Sequence, residues 1–124
     1  MANELILIVE DNEKSRRLVR DILQFKGYRT IETENGLEVL PLAREHQPQL
    51  VLMDIQLPGI DGITALGQLR ADAATRHIPV IAVTASVMTQ DREKILAAGF
   101  NSFQSKPINV MEFLEAVSRT VDGT

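Results

Sequence analysis

Hydrophobic positions along this chain fall into two kinds of run that alternate. Leu5-Ile6-Leu7-Ile8-Val9, Leu50-Val51-Leu52-Met53 and Pro79-Val80-Ile81-Ala82-Val83-Thr84 are short, largely β-branched and apolar almost throughout. Continuous rather than alternating apolarity predicts parallel strands covered on both faces. A weaker, more polar run at 28–33 predicts a strand at the sheet edge, and 102–104 predicts a short fifth strand before Lys106-Pro107. Between these runs, apolar residues recur at helical spacing. Residues 13–26 carry Leu18, Val19, Ile22 and Phe25 and stop at Gly27, a suitable left-handed residue after a helix end. Asp61 predicts the cap of a helix to about Ala71 with Ile63, Leu66 and Leu69 inward. Residues 89–98 predict a helix ended by Gly99, with a thin apolar face (Ile95, Leu96) and hence the weakest docking.

Two segments have the spacing of capping boxes. Asn35-x-x-Glu38 predicts a helix to about His46, with Pro41 forcing a kink or a late start. Asn109-x-x-Glu112 predicts a last helix whose Val110, Phe113, Leu114, Val117 and Val121 face the core. Five strands and five helices in strict β-α order predict an α/β fold with helices on both faces of a parallel sheet. The flavodoxin-like strand order 2-1-3-4-5 fits this count and right-handed crossovers.

Composition narrows the function. With 124 residues, 44% hydrophobic and 24% charged, the chain is expected to form one domain over 1–124, without an output domain and without disorder. The net charge of −4 argues against direct nucleic-acid binding. There is no cysteine, which excludes a disulfide scaffold and a cysteine zinc site. The apolar run 5–9 is too short to span a bilayer and lacks a basic leader, so a soluble, cytoplasmic protein is expected. His46 and His77 read as surface residues, and Met53, Met88 and Met111 as packing residues.

In such a sheet, chemistry gathers at the carboxyl ends of the strands. Those ends carry Glu10-Asp11, Asp54 and Thr84, and Lys106 follows the fifth strand. Three converging carboxylates must protonate or recruit a cation. Oxygen ligands with no His or Cys select Mg²⁺, or Mn²⁺, which prefers phosphate oxygens as further ligands. A lysine and a hydroxyl beside them suit a phosphoryl group. Asp54, on the central strand, is the candidate nucleophile.

Val9-Glu10-Asp11-Asn12, Leu52-Met53-Asp54-Ile55-Gln56-Leu57-Pro58, Ala82-Val83-Thr84-Ala85 and Ser105-Lys106-Pro107 occur in this order. On these segments the chain resembles the CheY-like receiver domains of bacterial two-component response regulators, over essentially its whole length. Among stand-alone members, the wording Val-Glu-Asp-Asn and Met-Asp-Ile-Gln-Leu-Pro is most similar to the DivK type. The resemblance implies that Asp54 accepts a phosphoryl group from a sensor histidine kinase or a histidine phosphotransfer protein. It implies that Asp11 binds Mg²⁺ directly, Glu10 through water, and Gln56 through its backbone carbonyl. Lys106, before a cis peptide to Pro107 that aims it at the site, would pair with a phosphoryl oxygen. Thr84 would shift towards the phosphoryl group and free space for Phe103 to turn, switching the surface of the fourth helix, fifth strand and fifth helix towards a downstream signalling protein. Plain core packing remains the alternative for Phe103. Gln56 and Ser86 stand where receivers tune phosphoryl lifetime, and Asn12, Ser15, Pro107 and Ile108 where partners dock. The resemblance leaves open a motor-binding regulator, a phosphorelay intermediate and a regulator that biases kinases; the motif wording favours the last. An aspartate-nucleophile phosphatase is less favoured, because it needs a second acid where Gln56 stands. A flavodoxin is disfavoured because Glu10-Asp11-Asn12-Glu13 would repel the phosphate of a flavin.

Overall fold

The computed structural model describes residues 4–85 and 89–122, excluding the side chains of 89–92. The predicted order of elements is what it contains. It runs β1 (Leu5–Val9), α1 (Glu13–Phe25), β2 (Arg29–Thr33), a 3₁₀ turn (Gly36–Glu38), α2 (Val39–His46), β3 (Leu50–Asp54), α3 (Gly62–Ala71), β4 (Val80–Thr84), α4 (Thr89–Ala98), β5 (Ser102–Ser105) and α5 (Val110–Asp122). The five strands are parallel in the order β2-β1-β3-β4-β5.

Alternation along the strands sorts the core into two layers. Leu7, Val9, Val51, Met53, Val80 and Ala82 pack towards α2, α3 and α4 with Val39, Ala43, Leu66, Leu69 and Ile95. Ile6, Ile8, Leu50, Leu52, Ile81 and Val83 pack towards α1 and α5 with Val19, Leu23, Phe113 and Val117. Every residue of β1, β3 and β4 is buried, as continuous apolar runs require, whereas β2 and β5 are only partly buried edges.

Helical phase departs from the sequence reading in several places. On α1 the buried stripe is Val19 and Leu23, spaced i,i+4, while Leu18 is exposed and Phe25 is 87% exposed. On α3 it runs through Gly62, Ala65, Leu66 and Leu69, which turns Ile63 outward. Leu96, Val110 and Met111 are likewise exposed, the last contrary to a packing role. In each case the apolar residues spread over more of the helix surface than the face turned to the sheet, so some of them point outward. The fourth helix is held near its end by Ile95 and Phe100, and by Arg70, whose guanidinium donates to the Gly99 carbonyl at 3.2 Å and to Asn101 Oδ1 at 3.0 Å. Met88 lies outside the described residues.

Two caps form as predicted: Asp61 and Asn109 accept from the amides of Thr64 and Glu112. Asn12 caps α1 in the same way, accepting from the Ser15 amide, which the sequence reading did not anticipate. The box at 35–38 does not close. Asn35 Oδ1 accepts from Leu37, and the Glu38 carboxylate takes the Thr33 hydroxyl instead of the Asn35 amide. The α-helix therefore starts late, at Val39, and leaves Pro41 in its first turn, where no amide donor is missed. Gly27 (φ 90°) follows the end of α1 in the left-handed region, as expected.

Candidate functional site

Parallel strands put all their carboxyl ends on one rim, and all four motifs contribute residues there. Glu10, Asp11, Asn12, Asp54, Gln56, Thr84 and Lys106 line one cleft of about 500 Å³, together with Glu13 and Ala85. Neither Glu13 nor Ala85 was anticipated as a lining residue, although Glu13 directly follows the first site segment and Ala85 ends the third. Ser15, Phe103, Pro107 and Ile108 are not among the lining residues. Ser15 sits in the first turn of α1, and Pro107 is exposed. Ile108 packs against the α1/α5 core, and Phe103 against the α2–α4 core. Phe103 is in register with Ala82, two residues from Thr84 on the same strand pair. Ser86 lies outside the described residues.

The centre of the cleft is an amine between two buried acids. Lys106 Nζ lies 2.5 Å from Glu10 Oε1 and 2.9 Å from Asp54 Oδ2. Glu10 is 4% exposed and Asp54 8%. The other oxygen of each acid is also held: the Asn12 amide donates to Glu10 Oε2 and the Gln56 amide to Asp54 Oδ1, both at 3.1 Å. Lys106 is itself placed by its amide, which donates to the Thr84 carbonyl at 2.9 Å, and its peptide to Pro107 is cis. Burial pushes the Glu10 carboxyl above its usual 4.5, and Asp54 adds to the push against Lys106 and the Asn12 amide.

Carboxylate oxygens of Glu10, Asp11 and Asp54 all lie within 4.8 Å of one another. Three acids against one lysine leave an excess of two negative charges when all are ionised. An all-oxygen donor set with that charge fits a hard divalent cation. The residues present thus match the metal group expected from the sequence.

Lys106 makes the alkaline limb of stability predictable. Burial opposes its charge, but hydrogen bonds and the field of Glu10 and Asp54 outweigh this and raise the amine above 10.5. A raised cationic pKa contributes stability that is complete below 10.5 and is lost as pH rises through the raised value. In EDTA at pH 8, Lys106→Met is expected to be less stable by about 1–2 kcal/mol, below the cost for fully buried pairs because the amine is partly open to water. The gap in thermal midpoint should narrow as pH climbs past 10.5. A gap that stays constant through that range would show that the amine does not carry this stability.

The response regulator receiver domain family matches residues 6–118. The polar-differentiation response regulator DivK of Brucella anthropi is 52% identical over 112 residues, which cover 90% of this chain and 91% of that protein. Its counterpart from Brucella ovis is 51% identical over the same span. Among solved structures, the receiver domain of a sensor histidine kinase from Pseudomonas aeruginosa, with a magnesium ion coordinated in its active-site cleft, superposes with a TM-score of 0.90 at 33% identity, covering 98% of this chain and 99% of that one. The receiver domain of a histidine kinase from Syntrophus aciditrophicus superposes with a TM-score of 0.89 at 30% identity, covering 98% and 92%. Among the described residues, no helix is long and apolar enough to cross a membrane.

Proposed function

The chain belongs to the response regulator receiver domain family, and from that premise we propose that Asp54 is its phosphoacceptor. The observation that carries this reading is the buried Asp54 carboxylate, held on one oxygen by Lys106 Nζ and on the other by the Gln56 amide. The donor is a phosphohistidine of a sensor histidine kinase or of a histidine phosphotransfer protein. An Asp54 oxygen attacks phosphorus in line; the O–P bond forms as the N–P bond breaks, and the imidazole leaves with that electron pair and takes up a proton. The product is a mixed anhydride on the Asp54 side chain.

Lys106 is at hand to exchange its Asp54 contact for a phosphoryl oxygen, and Thr84 offers a hydroxyl on the same cleft wall. Glu10, Asp11, Asp54 and the Gln56 carbonyl are the groups that would hold Mg²⁺, or Mn²⁺ in its place. The ion, when bound, supplies positive charge against the phosphoryl oxygens. Gln56 offers no carboxylic acid to activate water, so the anhydride persists long enough to act as a signal.

The signal passes to a downstream signalling protein, in the manner of the DivK relatives, through a switch of Thr84 and Phe103 and the face made by α4, β5 and α5. Asn12, Ser15, Pro107 and Ile108 are the residues that meet the phosphoryl donor, Asn12 from within the cleft. The protein works in the cytoplasm and contacts neither nucleic acid nor membrane directly.

Acetyl phosphate with MgCl₂ tests the chemistry without a kinase. The expected result is one phosphoryl group per chain, removed by hydroxylamine as an acyl phosphate must be, and none when EDTA is added first. A label that resists hydroxylamine, or that forms equally well in EDTA, overturns the reading.

A further inference from the structure

We propose that Arg16 is a positioning residue for the acidic cleft: its guanidinium grips the Glu10 main-chain carbonyl and thereby sets the β1–α1 loop that presents Glu10 and Asp11. This rests on the reading of that cleft as a divalent-cation site.

Arg16 lies on the second turn of α1, a helix whose surface is mostly polar, yet its side chain is only 18% exposed. It makes three contacts. Nε faces Glu32 Oε1 of β2 at 3.2 Å, and Nη1 faces Glu34 Oε2 at 3.4 Å. The same Nη1 donates to the Glu10 carbonyl at 3.0 Å. The two acids fix the guanidinium plane from the β2 side, and its fork geometry leaves a donor aimed at the loop.

The Glu10 residue is thus held on both sides. Its amide donates to the Thr33 carbonyl at 3.0 Å, and its carbonyl is taken by Arg16. The paired residues of β1 end at Val9 and the bond from the Glu10 amide to β2 is the last towards the sheet, so no strand orients the next peptide. That peptide joins Glu10 to Asp11, and its plane decides where the Asp11 carboxylate leaves the backbone. Asn12 completes the frame: its amide binds Glu10 Oε2, and its carbonyl takes the Arg16 amide at 2.9 Å. The loop of three residues is therefore closed onto Arg16 by backbone and by side chain.

Charge and geometry predict opposite signs here. As a nearby positive charge, Arg16 repels a divalent cation, so its removal would tighten binding. As a support for ligand-bearing backbone, its removal loosens binding, typically by about tenfold for a group that orients ligands. Arg20 is the control: it carries the same charge on the same helix, but its ion pairs are with Glu32 at 3.6 Å and with Asp21 rather than with the Glu10 carbonyl.

The test is Mn²⁺ binding at neutral pH, read from the electron paramagnetic resonance of the free ion, on the full unphosphorylated chain and on Arg16→Met, Arg16→Lys and Arg20→Met. Arg16→Met is expected to weaken the Mn²⁺ dissociation constant about tenfold. Arg16→Lys, which keeps the charge and one donor, should recover part of that loss, and Arg20→Met should stay within about twofold of the parent. Should Arg16→Met fail to fold, Arg16→Lys carries the test, with an affinity below the parent's as the supporting result. Mn²⁺ affinity unchanged or tightened in both Arg16 variants, or weakened as much in Arg20→Met, overturns the proposal while leaving the cleft's metal reading intact. A parent chain that binds no Mn²⁺ overturns both.

Discussion

Asp54→Asn should take up no detectable phosphoryl group from acetyl phosphate and MgCl₂, under conditions in which the parent chain is fully labelled. The substitution keeps the shape of the side chain but replaces a carboxylate oxygen with an amide nitrogen whose lone pair is delocalised, so the acceptor is gone. Other acids stand close by. Glu10 is buried and paired to Lys106, and an Asp11 carboxylate oxygen lies within 4.8 Å of those of Glu10 and Asp54. Loss of labelling in the Asn variant therefore separates the acceptor from its acidic neighbours. The fold should not suffer. Asp54 sits against Glu10, which its presence helps to push above 4.5. Removing one of three crowded negative charges relieves that repulsion, so the thermal midpoint in EDTA should be equal to or above the parent's. An Asn variant that labels would remove Asp54 from its proposed place in the chemistry, and one with a midpoint below the parent's would contradict the relief of repulsion at Glu10.

Gly62→Ala and Gly67→Ala should move stability in opposite directions, although the two glycines are in one helix. A methyl group built on Gly62 would come within 2.5 Å of the Asp54 carbonyl oxygen and 2.9 Å of the Ile55 Cα, both backbone atoms. The amide of Gly62 already donates to the Ile55 carbonyl at 2.7 Å, so the start of α3 is fastened to the end of β3. Neither partner can rotate away, as a side chain could. The helical preference of Ala over Gly is worth about 1 kcal/mol. Forced overpacking costs about 1–3 kcal/mol when side chains can yield, and backbone yields less readily, so about 2–3 kcal/mol of net destabilisation is expected. The strain falls on the peptide that carries Asp54, and phosphoryl uptake should fall with it. At Gly67, exposed in the middle of α3, nothing lies within 4 Å of the added methyl. There the preference for Ala acts alone and should stabilise by about 0.5–1 kcal/mol. Urea unfolding of the two variants checks both signs, and two changes of the same sign would contradict the close approach at Gly62.

Legibility in the sequence followed the range of the forces involved. The strands were legible because burial on both faces leaves unbroken apolar runs, as in 5–9 and 50–53. The rim of the site was legible because parallel strands bring all their carboxyl ends together. Helical phase was not, because Leu18 and Leu23 are equally apolar and only the facing sheet and α5 choose between them. The capping box at 35–38 misled because Thr33, a strand residue, competes successfully for Glu38. Gly62 showed no signal at all in the pattern, since what forbids a side chain there is the backbone of another element.

By itself, then, the order of apolar and polar residues determined the element sequence, the strand order and the acids, hydroxyl and amine that stand at the strand ends. These depend on local periodicity and on a topology with few alternatives. Only the tertiary structure decided that Lys106 Nζ bridges Glu10 and Asp54, 96 and 52 positions away, and that Arg16 holds the Glu10 carbonyl. Distances of a few tenths of an ångström between separate elements govern those contacts, and they follow from how the helices pack on the sheet rather than from any local run of residues.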